Sequence, residues 1–471
     1  MKISPQIGGR RRRRQGAGRL SRVAAGAAAT ALLLAGCSTP DAGSDSGKTD
    51  IVVAIVANPQ MKDAIALQDD FTARHPDINV KFVSLPENEA RAKITASVAT
   101  GGGEFDAVMI SNYETQMWAK NGWITNLQPY AERTPGYDPD DFIPTIKDAL
   151  SHNGDLYSVP FYGESSFLAY RKDLFEKAGL TMPPNPTWED IKGFAAKLHD
   201  PKKDFAGICL RGLAGWGEVM APLGTVINTY GGRWFDEDWN ATLNSPEVEA
   251  AVTDYVDLVR TSGQPGAATS GYGDCITRYS QGNAAMWYDA TAMVSSIEDP
   301  KSSTVVGKTA YAPAPVKNTE SAGWLYSWSL AIPETSKHKD EAWDFVSWMT
   351  NKDYIKLVGN EAGWERVPPG SRKSTYGNPE YAKVARAYAG PTLAAMNGAS
   401  QKSSMTAAVP YPGLQFVGIP EFQDLGTRVG QQISAAIAGQ KTVRQALEQS
   451  QQYASTVAES YKADAAKAGG K

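Results

Sequence analysis

Histidine and cysteine are scarce, with four and three among 471 residues. His75, His152, His199 and His338 are scattered and show no metal-ligand spacing. Phosphate-loop chemistry is missing as well. Gly101-Gly102-Gly103 lacks the Lys-Ser/Thr that such a loop requires and runs straight into Glu104, so it reads as a helix-to-strand turn. No serine elbow or zinc motif occurs. One stretch imitates a calcium loop: Asp236, Asp238, Asn240, Thr242 and Glu247 fall on offsets one, three, five, seven and twelve. Offset six, which needs glycine, is Ala241, and offset eleven is Pro246. A polar turn feeding the next helix is expected instead. Neither a metal nor a cofactor is expected.

Positive charge is in short supply beyond the N-terminus. Residues 1–36 hold eight basic residues and no acid, so the formal charge of −4 becomes −12 without them. That sign argues against nucleic acid as a partner. Long apolar runs are also missing. Val23 to Leu34 falls short of the roughly 20 residues that span a bilayer, and no later stretch reaches that length.

What is present begins with Arg10 to Arg14, Arg19 and Arg22, then the short apolar run, then small residues. This is the layout of a secretory signal. Leu34-Ala35-Gly36-Cys37 resembles the lipobox of bacterial lipoproteins. The resemblance implies cleavage before Cys37, a lipid on Cys37 and a mature chain held at the outer face of the cell membrane. The alternative is an ordinary secretory signal with an incidental cysteine. Ser38 to Lys48 is rich in Ser, Asp, Gly and Thr and reads as a flexible tether. Signal peptide 1–36 and tether 37–49 therefore precede the globular part.

The remainder is too long for one ordinary core, and two domains are expected. Its 12 Trp and 20 Tyr suit a large core or an aromatic-lined pocket. Cys209 and Cys275 remain as a pair in a compartment that permits disulfides. Whether they are bridged depends on a Cα separation that sequence does not supply.

Ile51 to Ala57 suits a strand buried on both faces, and residues 60–74 a helix stopped by Pro76. Ile78, Val80 and Phe82 alternate as in a strand, residues 88–100 look helical, and Phe105 to Ile110 form a third strand. Such alternation implies an α/β fold with a helix-covered parallel sheet. Ser111-Asn112-Tyr113-Glu114 lies just past that strand's carboxyl end, where open α/β sheets bind ligands, and also suits a helix N-cap. Leu156 to Pro160 and the following Phe161 to Ser166 read as a first crossing between domains. Thr187-Trp188-Glu189-Asp190 looks like a capping box, Phe205 to Leu210 a strand, and Ser245-Pro246 a helix start. Ala284 to Tyr288 forms a short buried strand, after which Asp289 or Thr291 could cap a helix. Tyr311 to Pro315 suits a second crossing, Ser329 to Ile332 another strand, residues 338–350 an amphipathic helix, and Thr442 to about Ala465 a terminal one.

This order of pieces, with Gln281-Gly282-Asn283-Ala284-Ala285-Met286, resembles the extracellular solute-binding proteins of carbohydrate ABC importers. Further stretches resemble the sorbitol/mannitol branch: Gly163-Glu164-Ser165-Ser166, Tyr170 to Phe175, Gly207 to Gly212, Gly215-Trp216-Gly217-Glu218 and Asn228 to Phe235. The resemblance implies a two-lobed periplasmic-binding-protein fold, type II-like, with hinge crossings and a ligand cleft between lobes. Residues 50–158 and 313–350 would form lobe one, and 159–312 with 351–465 lobe two. The implied protein is a monomer that passes a small polyol or sugar to ABC permease subunits.

A polyol alternates hydroxyls with C–H faces. Carboxylates accept from paired hydroxyls, Arg donates to their lone pairs and aromatic rings cover the C–H faces. The candidates are Asn112, Tyr113, Glu114, Tyr162, Glu164, Arg211, Trp216, Asp289, Trp324, Trp328, Trp364 and Arg366. Each could instead serve only the fold. Two alternatives stay open: a secreted glycoside hydrolase using Glu164 and Asp289, and a sugar-sensing lipoprotein.

Overall fold

The computed structural model describes residues 47–469; the proposed signal, Cys37 and most of the tether lie outside this range. Eight strands carry the site: β1 (Thr49–Val56), β2 (Ile78–Leu85), β3 (Ala107–Ser111), β4 (Val159–Glu164), β5 (Ser166–Arg171), β6 (Met286–Ala290), β7 (Thr309–Pro313) and β8 (Tyr326–Ala331).

The first sheet runs in the order β2-β1-β3-β8-β4. Its first three strands are parallel, and β8 enters antiparallel to both β3 and β4. At the edge, β2 exposes Asn79, Lys81 and Ser84, whereas β3, β4 and β8 are buried at every position. Helices on both faces produce this difference, which is why the inner strands show no alternation in sequence. The register between β8 and β4 shifts at Trp328/Ser329, opposite Pro160. Proline has no N–H to give the ladder, so a break at that position follows.

The second sheet is antiparallel, in the order β6-β5-β7. The strand expected over Phe205 to Leu210 is not regular. Ala206 and Cys209 make single parallel bridges to Ala284 and Trp287. Between them, the N–H groups of Gly207 and Ile208 turn away to donate to Ser262 O at the end of helix Pro246–Ser262. A disulfide between Cys209 and Cys275, Cα atoms 5.7 Å apart, ties this segment to helix Tyr272–Ser280.

Three of the expected lobe boundaries fall elsewhere. The stretch Val159–Glu164, expected in lobe two, is β4 and pairs with β8 in the first sheet. The crossing is therefore Glu164-Ser165-Ser166, a nearly continuous run from β4 into β5. Helix Lys352–Glu361, also expected in lobe two, packs on the first sheet's side. Its Tyr354 lies 5.0 Å from Trp348 and 6.0 Å from Phe161, ring centre to ring centre. The fully buried Arg372 donates to the carbonyls of Tyr137, Asp138 and Thr350. Likewise Tyr311 to Pro313 belongs to β7, and the second crossing follows it.

Local signals otherwise behave as the residues dictate. Thr187 and Asp190 form a capping box, and Ser245 caps the helix begun by Pro246. Gly101 and Gly103 take left-handed conformations in the turn after helix Glu87–Ala99. Asp236 folds its carboxylate back onto the N–H groups of Asp238 and Asn240, making the polar turn. The helix expected over residues 60–74 is divided at Leu67 into Pro59–Ala66 and Gln68–Arg74. Among the described residues, no helix is long and apolar enough to cross a membrane.

Candidate functional site

Where β4 leaves the first sheet for the second, the two lobes close on a narrow cleft of about 40 Å³, partly open to solvent. Glu164 ends β4 at this point, and Tyr162 lies two residues earlier on the same strand. Opposite them in register, Tyr326 and Trp328 of β8 complete the first lobe's floor. Helix Glu87–Ala99 contributes Glu87 and Arg91, one turn apart. From the second lobe come Arg211, Gly217, Tyr272, Gln415 and Phe416. Three roomier hollows, one beside Arg260 and Ala267, one beside Phe167 and Tyr311 and one beside Asp274 and Arg278, show no comparable convergence of buried charge.

Glu164 is the least satisfied group in the cleft. It is buried, and no described residue donates a hydrogen bond to its carboxyl oxygens. Burial pushes its pKa up to about 8; nearby Arg211 opposes the shift, while Asp289 and Glu87 add to it. Tyr272 also faces the cleft with a hydroxyl that makes no hydrogen bond, and its pKa is raised by burial and by Glu164. The Tyr162 hydroxyl accepts from Asn58 Nδ2 at 3.1 Å.

Arg211 is held in place from behind. Its Nε and Nη2 donate to the two oxygens of Asp289 at 2.8 and 2.5 Å, and Nη1 donates to Gly217 O at 2.8 Å. Burial alone would weaken its protonation, but Asp289 and Glu218 outweigh burial and raise its pKa. The guanidinium lies 4.7 Å over the Tyr272 ring. Glu218, itself buried and pushed up to about 7, accepts from Tyr272 N.

Arg91 forms the cleft's second cationic corner. It donates to Glu87 Oε1, Glu114 Oε1 and the Tyr326 hydroxyl. Its guanidinium is sandwiched between Trp328, at 4.4 Å, and Trp216, at 4.0 Å. Such stacking suits a planar, weakly hydrated cation. Burial works against its charge, but Tyr326, Glu87 and Glu114 prevail and hold it protonated.

Of the twelve expected site residues, Tyr162, Glu164, Arg211 and Trp328 line the cleft. Four others support that lining. Trp216 covers Arg91. Glu114 closes a capping box with Ser111 and accepts from Arg91 and Gln423. The Tyr113 hydroxyl accepts from the N–H groups of Leu414, Gln415 and Phe416, fixing that loop. Asp289 is completely buried behind Arg211, and its oxygens also accept from Trp287 Nε1 and Ala290 N. It caps no helix, and its complete burial keeps it out of the cleft lining. Thr291 is no cap either; its hydroxyl accepts from Ser165 N.

Four expected residues lie away from the cleft. Asn112 accepts from Ser327 N and pins β8. Trp324 is wholly buried, 6.0 Å from the Tyr288 ring. Trp364 packs on Gly359, where a Cβ would come within 2.5 Å of its ring. Arg366 bonds to Asp63 and Asp299. Sequence reasoning missed Glu87, Arg91, Tyr272, Tyr326, Gln415 and Phe416. For Glu87 and Arg91 a signal existed: they follow the carboxyl end of β2, the same position that drew attention to residues 111–114.

Comparison with known proteins agrees with this architecture. Residues 58–356 match the model of the bacterial extracellular solute-binding protein family. A mannitol-binding protein of Pseudomonas aeruginosa is 42% identical over 407 residues, 86% of this chain and 92% of that one. The crystal structure of an ABC transporter solute-binding protein from Agrobacterium vitis S4, with bound D-mannitol, superposes with a TM-score of 0.84 at 45% identity. It covers 88% of this chain and 99% of that one. A ribitol complex from Agrobacterium radiobacter K84 gives 0.75 at 26% identity, covering 87% and 98%. With its two lobes, its strand crossings and its cleft, the chain belongs to the bacterial extracellular solute-binding protein family.

Proposed function

We propose that this chain is the extracytoplasmic binding component of an ABC importer and captures a linear polyol of the mannitol type. Glu164 carries the reading: a buried carboxyl facing the cleft with no donor from the protein. Its oxygens open onto the cleft, so a ligand that displaces solvent there must return hydrogen bonds to them. Neighbouring hydroxyls of a neutral polyol supply them, and the Tyr272 hydroxyl and the unused N–H groups of Arg211 meet further hydroxyls. Trp328 and Phe416 cover the C–H faces. The mannitol-binding relative and the mannitol-bound neighbour support the same ligand class.

Binding involves no covalent step. Closure buries the polyol, and the closed monomer is the form presented to the permease subunits. A lipid on Cys37 keeps the receptor at the membrane. The test is a thermal-shift screen of the purified protein against hexitols, pentitols, hexoses and disaccharides. A ligand at one hundred times its Kd adds about 2.7 kcal/mol of stability. A shift with hexitols is expected. A shift with disaccharides alone would overturn the polyol reading, and no shift with any of them would overturn sugar or polyol capture.

A further inference from the structure

Arg366 lies outside the cleft, yet it joins three parts of the chain. Its Nε and Nη2 donate to Oδ2 and Oδ1 of Asp63 at 2.9 and 2.7 Å, a two-pronged contact. Its Nη1 donates to Asp299 Oδ2 at 2.8 Å. Asp63 sits on helix Pro59–Ala66 of the first lobe. Asp299 follows helix Val294–Ile297, beyond β6 of the second lobe, and is fixed by Lys301 N and Ser302 Oγ. Beside this contact, Gln60 Nε2 donates to Ser295 Oγ at 2.9 Å, again from the first lobe to the second. Both acids are largely shielded, with side-chain exposures of 15% and 3%.

We propose that Arg366 is a closure latch: its guanidinium bridges Asp63 and Asp299 only when the lobes meet, and so sets how slowly the bound solute leaves. The reasoning is one of charge and geometry. Two carboxylates brought together from opposite lobes repel each other unless a cation lies between them. A planar fork can serve both at once, whereas an ammonium group cannot reproduce the paired contact. The latch's helix also reaches the cleft. Asn58 caps it and donates to Tyr162, which lines the cleft. Solute contact and latch therefore share one rigid element. A ligand that binds only the closed form loses affinity by the factor that the closed form loses in stability.

The inference rests on the polyol reading for its ligand, so the experiment has an arm without one. D-mannitol release is measured by stopped flow for the parent, Arg366→Gln, Asp63→Asn and the double variant. The single variants are expected to release roughly tenfold faster or more, as for broken buried charge pairs. The double variant should be no faster than the worse single one, because both remove the same contact. In the ligand-free arm, small-angle scattering should give a larger radius of gyration for Arg366→Gln than for the parent, with an unchanged melting temperature. Equal release rates, or equal radii where no mannitol binds, would overturn the latch. So would a lowered ligand-free melting temperature, which marks a structural role. A parent that binds no mannitol overturns the polyol reading instead, and the scattering arm then decides the latch.

Discussion

Exchanging Glu164 for Gln separates two consequences of burying a carboxyl. In the free protein burial raises its pKa to about 8, from an ordinary value of 4.5. Between those values the folded state keeps a proton that the unfolded chain has released. The group's contribution to stability is therefore full below pH 4.5 and is lost as pH rises through about 8, by up to ~1.4 kcal/mol per pH unit. Gln does not titrate. Urea unfolding across that range should show the variant gaining on the parent as pH rises. Ligand binding should move the other way. A hydroxyl donating to a carboxylate contributes ~1.5–3 kcal/mol, against ~0.5–1.5 kcal/mol for a neutral acceptor. A net loss of about 1–2 kcal/mol weakens Kd roughly 5- to 30-fold. Hydroxyl donation also favours the ionised carboxyl, so binding to the parent should release a proton, seen by calorimetry in buffers of different ionisation enthalpy. An unchanged Kd in Glu164→Gln would refute the contact. A stability difference flat in pH would refute the buried proton.

Gly217→Ala places a Cβ 2.5 Å from Glu87 Oε1 and 3.0 Å from Arg91 Nε across the cleft. Solute affinity should fall by tenfold or more while the ligand-free melting temperature holds; retained affinity would show that the lobes need not approach so closely. Asp289→Asn removes the paired carboxylate contact of buried Arg211 and leaves Glu218, at 3.8 Å, outside hydrogen-bond range. Loss of about 3 kcal/mol in urea unfolding is expected, and a loss under ~1 kcal/mol would contradict the pairing described here. Opening the Cys209–Cys275 bridge, which spans a sequence separation of 66, should cost up to ~4 kcal/mol by the loop-entropy account. A Cys209→Ser/Cys275→Ser variant as stable as the parent would show that the surrounding packing alone fixes residues 205–210.

Sequence patterning disclosed the parallel strands, the caps and the acid at the first crossing, because each depends on neighbours in the chain. It did not disclose which polar groups satisfy one another. Glu164 and Asp289 are both acids at strand ends. Only the return of Arg211 beside β6 makes one a buried counter-ion and leaves the other unpaired. Arg91 stands in a charged helical stretch that looks solvent-facing, and its burial comes from Trp216, 125 positions away in sequence. Arg366 carried the right chemistry for a polyol, but its nearest acids belong to two different lobes. Trp324 and Trp328 have the same parity in one run, yet β8 begins at Tyr326, so Trp324 precedes the strand and faces the core.

The step from β4 to β5 leaves one residue, Ser165, between two sheets. Points near a pivot travel least when two bodies swing about it, and points at the rim travel furthest. Glu164 borders that pivot, so an arriving solute meets it in nearly its final position while the lobes still gape. Arg91 and Trp216 come from opposite lobes, so their 4.0 Å stacking depends on the lobes being together. First contact and full enclosure then become successive events, the first made beside the pivot and the second across the whole cleft.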